Sequence, residues 1–185
     1  MTAQKPDVSS PVQIETDRLV MRAPRAEDFT AYFEMCADAE TFRFSERGPM
    51  SCDEAWSRLL RHAGHWSLLD HGLFTLIDKD SGRFAGEAGL GDFRRALGAG
   101  FDDAPEAGWA VAPWARGRGY ATEAMFAALD WMETRFQQVR SVCMIHADNE
   151  ASIRVAAKLG YAPCDERLYR GYRAIMFERP RVSSN

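Results

Sequence analysis

Residues 109–124 read WAVAPWARGRGYATEA. An apolar strand, EAGWAVA, stops at Pro113, and a loop with Arg116, Gly117, Arg118 and Gly119 leads into a helix expected over residues 117–137, through Tyr120, Ala121 and Thr122. Glycines let backbone N–H groups turn toward a ligand at the positive end of a helix, so the loop is suited to phosphate oxygens, and Arg116 and Arg118 add charge. A P-loop would need G-x-x-x-x-G-K-S/T, which is absent, and a dinucleotide fingerprint would need glycine where Thr122 stands. A glycine-rich turn that merely opens a helix is the plainer alternative.

Outward from this stretch, the helix presents an apolar stripe of Ala121, Met125, Ala128, Leu129, Met132 and Phe136. A continuous apolar strand SVCMIHA follows, then NEASIRVAAKLGY as a short helix with Asn149 near its cap and Gly160 at its stop, then a strand YRAIMFE ended by Pro180. Upstream, residues 12–23 alternate up to Pro24 and read as one strand of about ten residues. A helix follows from RAEDF, with Phe29, Tyr32, Phe33 and Cys36 at helical spacing. Another starts after Ser51, with Glu54 completing a capping box and Trp56, Leu59, Leu60, Ala63 and Trp66 as its apolar face; its charged face reads as solvated. Two apolar runs around Asp80-Ser81-Gly82 predict a hairpin over residues 73–90, and residues 91–105 read as a loop, or as a strand extension ending in a loop. Only residues 106–147 form a strand–helix–strand unit, so the expected class is α/β: a mixed, mostly antiparallel sheet with one central parallel crossover and helices on both faces.

The chain has 185 residues, 46% of them hydrophobic and 27% charged, within the range of an ordinary globular protein. At this length one domain buries about 70% of the surface of its unfolded chain, so no metal or disulfide staple is required. We expect flexible tails at residues 1–11 and 181–185 and one domain over residues 12–180. The net charge of −4 lacks the basic excess used to bind a phosphate backbone, which argues against nucleic acid. No apolar stretch reaches a bilayer span, so no membrane partner is expected. Cys36, Cys52, Cys143 and Cys164 form no CxxC, which fits buried free thiols in a reducing cytoplasm.

The stretch resembles the acyl-CoA signature of the GCN5-related N-acetyltransferases, Q/R-x-x-G-x-G/A preceded by Val-x-Pro: Val111 and Pro113 are followed by Arg116, Gly119 and Ala121. NEASIRVAAKLGY looks like that family's NxxSxxxxxKxGF element, with Asn149, Ser152, Lys158 and Gly160, and Tyr161 in place of Phe. The opening ETDRLVMRAP and the form WARGRGYATEA resemble the branch that includes the ribosomal-protein alanine and serine N-acetyltransferases. The resemblance implies acetyl-CoA as co-substrate and no metal. It also implies a strand over residues 107–112 that splays from the strand over residues 141–147, with pantetheine in the gap. Trp109, Ala110 and Val111 would then be backbone contacts, the first two polarising the thioester carbonyl. Arg116 to Thr122 would hold the pyrophosphate, and Asn149 would help position the cofactor.

Transfer needs a neutral amine and a proton for the thiolate. A chain amino terminus titrates at about 8 and lysine at about 10.4, so a terminus needs little help. Many family members carry a tyrosine acid where this chain has Ala156, which leaves Ser152 as the expected donor, or alternatively a helix residue bonding its own backbone. Asn149 could be a simple N-cap, or serve both roles. Glu106 and Glu87 are candidate bases, or plain solvated strand glutamates. Asp102 and Asp103 suggest an acidic rim that attracts a cationic amine, unless they are ordinary loop residues. His62 and His65 read as a surface pair, without a third metal ligand. Trp114 either covers the ligand or packs. The leading reading is an N-acetyltransferase acting on a primary amine, a protein N-terminus favoured, by direct attack in a ternary complex. A small amine acceptor and a silent acyl-CoA binding module are the alternatives, and oligomeric state is open, a homodimer included.

Overall fold

The computed structural model describes residues 12–45, 48–137 and 140–180; the two expected tails lie outside them. The opening alternation builds two strands where one was expected. β1 (Gln13–Glu15) and β2 (Leu19–Arg22) pair antiparallel, because the Thr16 hydroxyl accepts the Leu19 N–H at 3.0 Å and closes a turn. A 3-10 turn (Ala26–Asp28) runs into α1 (Phe29–Cys36). The predicted Ser51–Glu54 capping box starts α2 (Cys52–Leu69). β3 (Leu73–Asp78) and β4 (Phe84–Gly91) form the expected hairpin. Within the 91–105 loop lies a short α3 (Ala99–Asp102). There follow β5 (Glu106–Val111), α4 (Tyr120–Phe136), β6 (Ser141–His146), α5 (Glu150–Lys158), β7 (Ala162–Tyr169) and β8 (Tyr172–Arg179).

The sheet order is β1-β2-β3-β4-β5-β6-β8-β7, antiparallel throughout except for β5–β6. Side chains alternate across a strand, so Glu87 and Leu90 of β4 face opposite sides. Glu87 meets Arg58 of α2, while Leu90 lies with Leu129 and Met132 of α4, which places helices on both faces. The buried stripe of α4 is Tyr120, Ala124, Met125, Ala128, Leu129 and Met132, close to expectation, although Phe136 is exposed. On α2 the buried positions are Ala55, Leu59 and His62, whereas Trp56 and Leu60 are exposed. The buried face of α2 is thus rotated from the predicted one, and its polar residues meet the sheet. Cys36 and Cys143 are buried, but Cys52 and Cys164 are exposed, against the expectation that all four are internal.

One irregularity positions the site. β5 pairs with β4 without interruption from Glu106 opposite Gly91 to Val111 opposite Gly86. On its other edge only Glu106 has a partner, Val142 of β6. Beyond that pair the two parallel strands part.

Arg22 and Asp28 fasten the first helical segment to β2. Both guanidinium Nη atoms donate to the Asp28 carboxylate, at 2.8 and 2.6 Å, and the Arg25 N–H adds a third bond at 2.8 Å. Burial acts to raise the Asp28 pKa, but the bonds from Arg22 and Arg25 outweigh it and hold the carboxyl below its ordinary value. The pair's contribution to stability is therefore present above the unfolded carboxylate value of about 3.9 and is lost as pH falls through the lower folded value. Replacing Asp28 with Ala leaves the half-buried Arg22 uncompensated, which should cost about 3 kcal/mol at neutral pH. For a chain of this size that is a drop in Tm of roughly 6–12 °C by thermal melt. An unchanged melt would show that the pair does not hold the segment.

Candidate active site

Where β5 and β6 part, a cleft of about 240 Å³ opens on the α2 face of the sheet. Its lining joins Glu106, Gly108 and Trp109 of β5, Met144 and His146 of β6, Asn149 at the cap of α5 and Ser152 within it, and Arg58 and Arg61 of α2. The structure brings Glu106, Trp109, Asn149 and Ser152, each singled out from the sequence, to the wall of one cleft. The Asn149 carboxamide oxygen accepts the Ser152 N–H at 3.1 Å, a true N-cap. The Ser152 hydroxyl makes no hydrogen bond to another described residue, so it is not spent on its own helix. Ala156 is fully buried.

Neither glutamate is solvated. Glu106 is 6% exposed and accepts from Arg95 Nε at 2.6 Å; burial raises its pKa, opposed by Arg95. Glu87 is 3% exposed, ion-paired to Arg58, and does not line the cleft. Arg58 Nε also donates to the Tyr32 hydroxyl at 2.9 Å. His62 is no surface residue: it is 1% exposed, and burial with the nearby Arg58 and Arg61 charges holds its pKa well below the usual value. Among the described residues no group of three His, Cys, Asp or Glu is placed to hold a metal ion. Asp102 and Asp103 are absent from the cleft and line a separate cavity of about 380 Å³ with His71, Asp92 and Arg94. The expected acidic rim is therefore not at the cleft. The residues that sequence reasoning passed over are Arg58, Arg61, Arg95, His146 and Tyr172. The basic pair Arg58 and Arg61, one helical turn apart, was the available signal.

The glycine loop meets the N-terminus of α4. Gly117 and Gly119 have φ of +72° and +80°, and no side chain caps the helix. The first N–H groups of this 17-residue helix, at Tyr120, Ala121 and Thr122, are left for a ligand at its positive end. The Tyr120 side chain is not part of that cradle, since its hydroxyl donates to Asp78. Arg116 is engaged by Asp38 and Thr41, while Arg118 is exposed over the Trp114 ring, 5.5 Å from its centroid. Trp114 packs, its Nε1 donating to the Phe84 carbonyl at 3.0 Å. A brace from the first hairpin fixes the loop: Arg18 donates to Glu123 at 2.7 Å and to the Arg118 carbonyl at 2.8 Å, and the Thr16 hydroxyl donates to Glu123.

Comparisons with known proteins agree with this arrangement. The family described as "Acetyltransferase (GNAT) domain" matches residues 18–162. A solved structure from Bordetella pertussis, provisionally described as a GnaT-family acetyltransferase, is 35% identical, with a TM-score of 0.80, covering 91% of this chain and 99% of that one. A ribosomal-protein-S5-alanine acetyltransferase from Vibrio fischeri shares the fold at 20% identity and TM-score 0.69, covering 94% and 99%. RimL, a ribosomal L7/L12 alpha-N-protein acetyltransferase solved in complex with coenzyme A, shares it at 14% identity and TM-score 0.75, covering 94% and 100%. With a parallel pair of strands that part, a capless glycine-led helix and this breadth of match, the chain belongs to the GNAT acetyltransferase family and is an acetyl-CoA-dependent acetyltransferase.

Proposed function

We propose that this chain, as one domain over residues 12–180, moves acetyl from acetyl-CoA to a primary amine by direct attack in a ternary complex, with a protein N-terminus as the favoured acceptor. The observation that carries the reading is the cleft at the parting of β5 and β6, which Ser152, Asn149 and Glu106 all line. The four free cysteines fit a reducing cytoplasm as its place of work.

In this reading the α4 N-terminus and Gly117–Gly119 backbone bind the pyrophosphate, with Arg118 adding charge and Arg116 braced by Asp38. The unpaired edge of β5 binds the pantetheine amides by strand addition, and N–H groups at Trp109 and Ala110 polarise the thioester carbonyl. Glu106 is favoured over Glu87 as the base, since it lines the cleft and Glu87 is closed off beneath Arg58. Ser152 donates the proton to the departing sulfur, and Asn149 positions the cofactor.

Acetyl-CoA at 100 times its Kd should stabilise the protein by about 2.7 kcal/mol, several degrees in Tm, and NAD and ATP should not. Gly119→Val forces a β-branched side chain to a positive φ and should abolish that shift. Equal shifts with NAD, or an intact shift in the variant, would place the phosphates elsewhere.

With an acceptor in hand, Ser152→Ala should lower kcat by roughly 10- to 100-fold and leave the KM for acetyl-CoA little changed, because the thiol is already a fair leaving group. Asn149→Ala should chiefly raise that KM. Wild-type turnover in Ser152→Ala would pass the donor role to water or to another side chain of the cleft.

Burial pushes the Glu106 carboxyl up, so the ionised base accumulates only above the usual glutamate value of about 4.3. The acid limb of the kcat profile should accordingly lie above that value, and Glu106→Gln should remove the limb and lower kcat by about a hundredfold or more. A variant that keeps wild-type kcat and profile would leave Glu106 as no more than the partner of Arg95.

A further inference from the structure

The cleft is cationic where an amine must enter. Arg58, Arg61 and Arg95 all line it. Two of the three are compensated, Arg58 by Glu87 and Arg95 by Glu106. Arg61 has no carboxylate at ion-pair distance among the described residues; its guanidinium lies 5.6 Å from the centroid of the Phe93 ring and is exposed at the mouth. Although Arg61 as a residue is exposed, partial desolvation of its guanidinium, and then the charge of Arg58 beside it, lowers its pKa, with Glu87 acting in the other direction. The carboxylates expected to reverse that field, Asp102 and Asp103, line the other cavity. A lysine side chain or a polyamine would bring positive charge to a positive mouth.

We propose that the acceptor is an acidic amine, one whose side chain carries a carboxylate near the amino group, and that Arg61 binds this side-chain carboxylate. A guanidinium takes a carboxylate through two parallel hydrogen bonds, which fixes its orientation as well as its charge. Arg61 comes from α2 and Ser152 from α5, so the acceptor's carboxylate and the departing sulfur are handled by different elements with the amine between them. An acidic first residue of a peptide and a free acidic amino acid present the same chemistry. The proposal rests on the acetyltransferase reading of this cleft.

The test is kcat/KM for thiol release with acetyl-CoA and matched acceptors: peptides beginning with Glu, Gln or Lys, and free glutamate and glutamine. The Glu acceptor should exceed its Gln counterpart by about tenfold to a hundredfold in at least one of the two sets, and the set in which it does identifies the source. Added salt should narrow the gap. Arg61→Gln should bring the Glu/Gln ratio close to one, and Arg61→Lys should restore part of it. Wild-type enzyme that prefers Gln or Lys, or that binds acetyl-CoA yet turns over no Glu acceptor, overturns the proposal, and these readings need no variant. Arg61→Gln lowering every acceptor in proportion overturns it as well. A missing acetyl-CoA thermal shift would instead sink the acetyltransferase reading on which it rests.

Discussion

Past Glu106, β5 has a ladder partner on one edge only. A strand with one open edge keeps its position only if its closed edge is held firmly, and β4 supplies that hold. Gly86 of β4, at φ +146°, lets the β5 backbone approach so closely that a Cβ there would lie 2.3 Å from the Ala110 carbonyl oxygen. The close seam on one side and the gap on the other are two aspects of one constraint. The cleft exists because β5 is committed to β4, and β6 is committed to β8 along its whole length.

Around that gap the protein buries charge in compensated pairs. Burying a lone carboxylate is costly, and the two glutamates of the central strands each meet an arginine, Glu87 with Arg58 and Glu106 with Arg95. The two outcomes differ. Glu87 is sealed under α2 with Arg58, Tyr32 and His62 nearby, a polar layer that ties helix to sheet. Glu106 keeps an opening to the cleft, so its protonation can matter to chemistry. His62, held neutral by its surroundings, adds nothing to the charge of the cleft at neutral pH.

Signals that act over a few residues were legible in the sequence: the Ser51 capping box, the Asp80-Ser81-Gly82 turn, the Asn149 cap, the glycine loop before α4, and the lone parallel crossover. Signals that depend on what lies across the fold were not. The Thr16 turn interrupts an unbroken alternation, since a hydroxyl closing on a backbone N–H leaves the apolar pattern intact. The register of α2 against the sheet turned on Glu87, a partner found only once β4 is in place, so Trp56 and Leu60 were assigned to the wrong side. Arg58 looked like part of a solvated helix face because its carboxylate is 29 positions away, and Arg95 drew no notice in its loop because the carboxylate it meets is 11 positions on, in the next strand.

The brace on the glycine loop has a consequence for the order in which this protein comes together. Arg18 and Glu123 are 105 positions apart, and Thr16 and Glu123 are 107 apart. Contacts of such separation form only after a long chain segment has been closed, and closure entropy places them late in folding. The β3–β4 hairpin and the turns of α4 can form from local contacts, but the glycine loop before α4 takes its braced shape only when the first hairpin has docked. During synthesis, Thr16 and Arg18 must therefore wait for Glu123 before this corner of the protein can be completed, so the glycine loop is finished only after more than 100 further residues have been made.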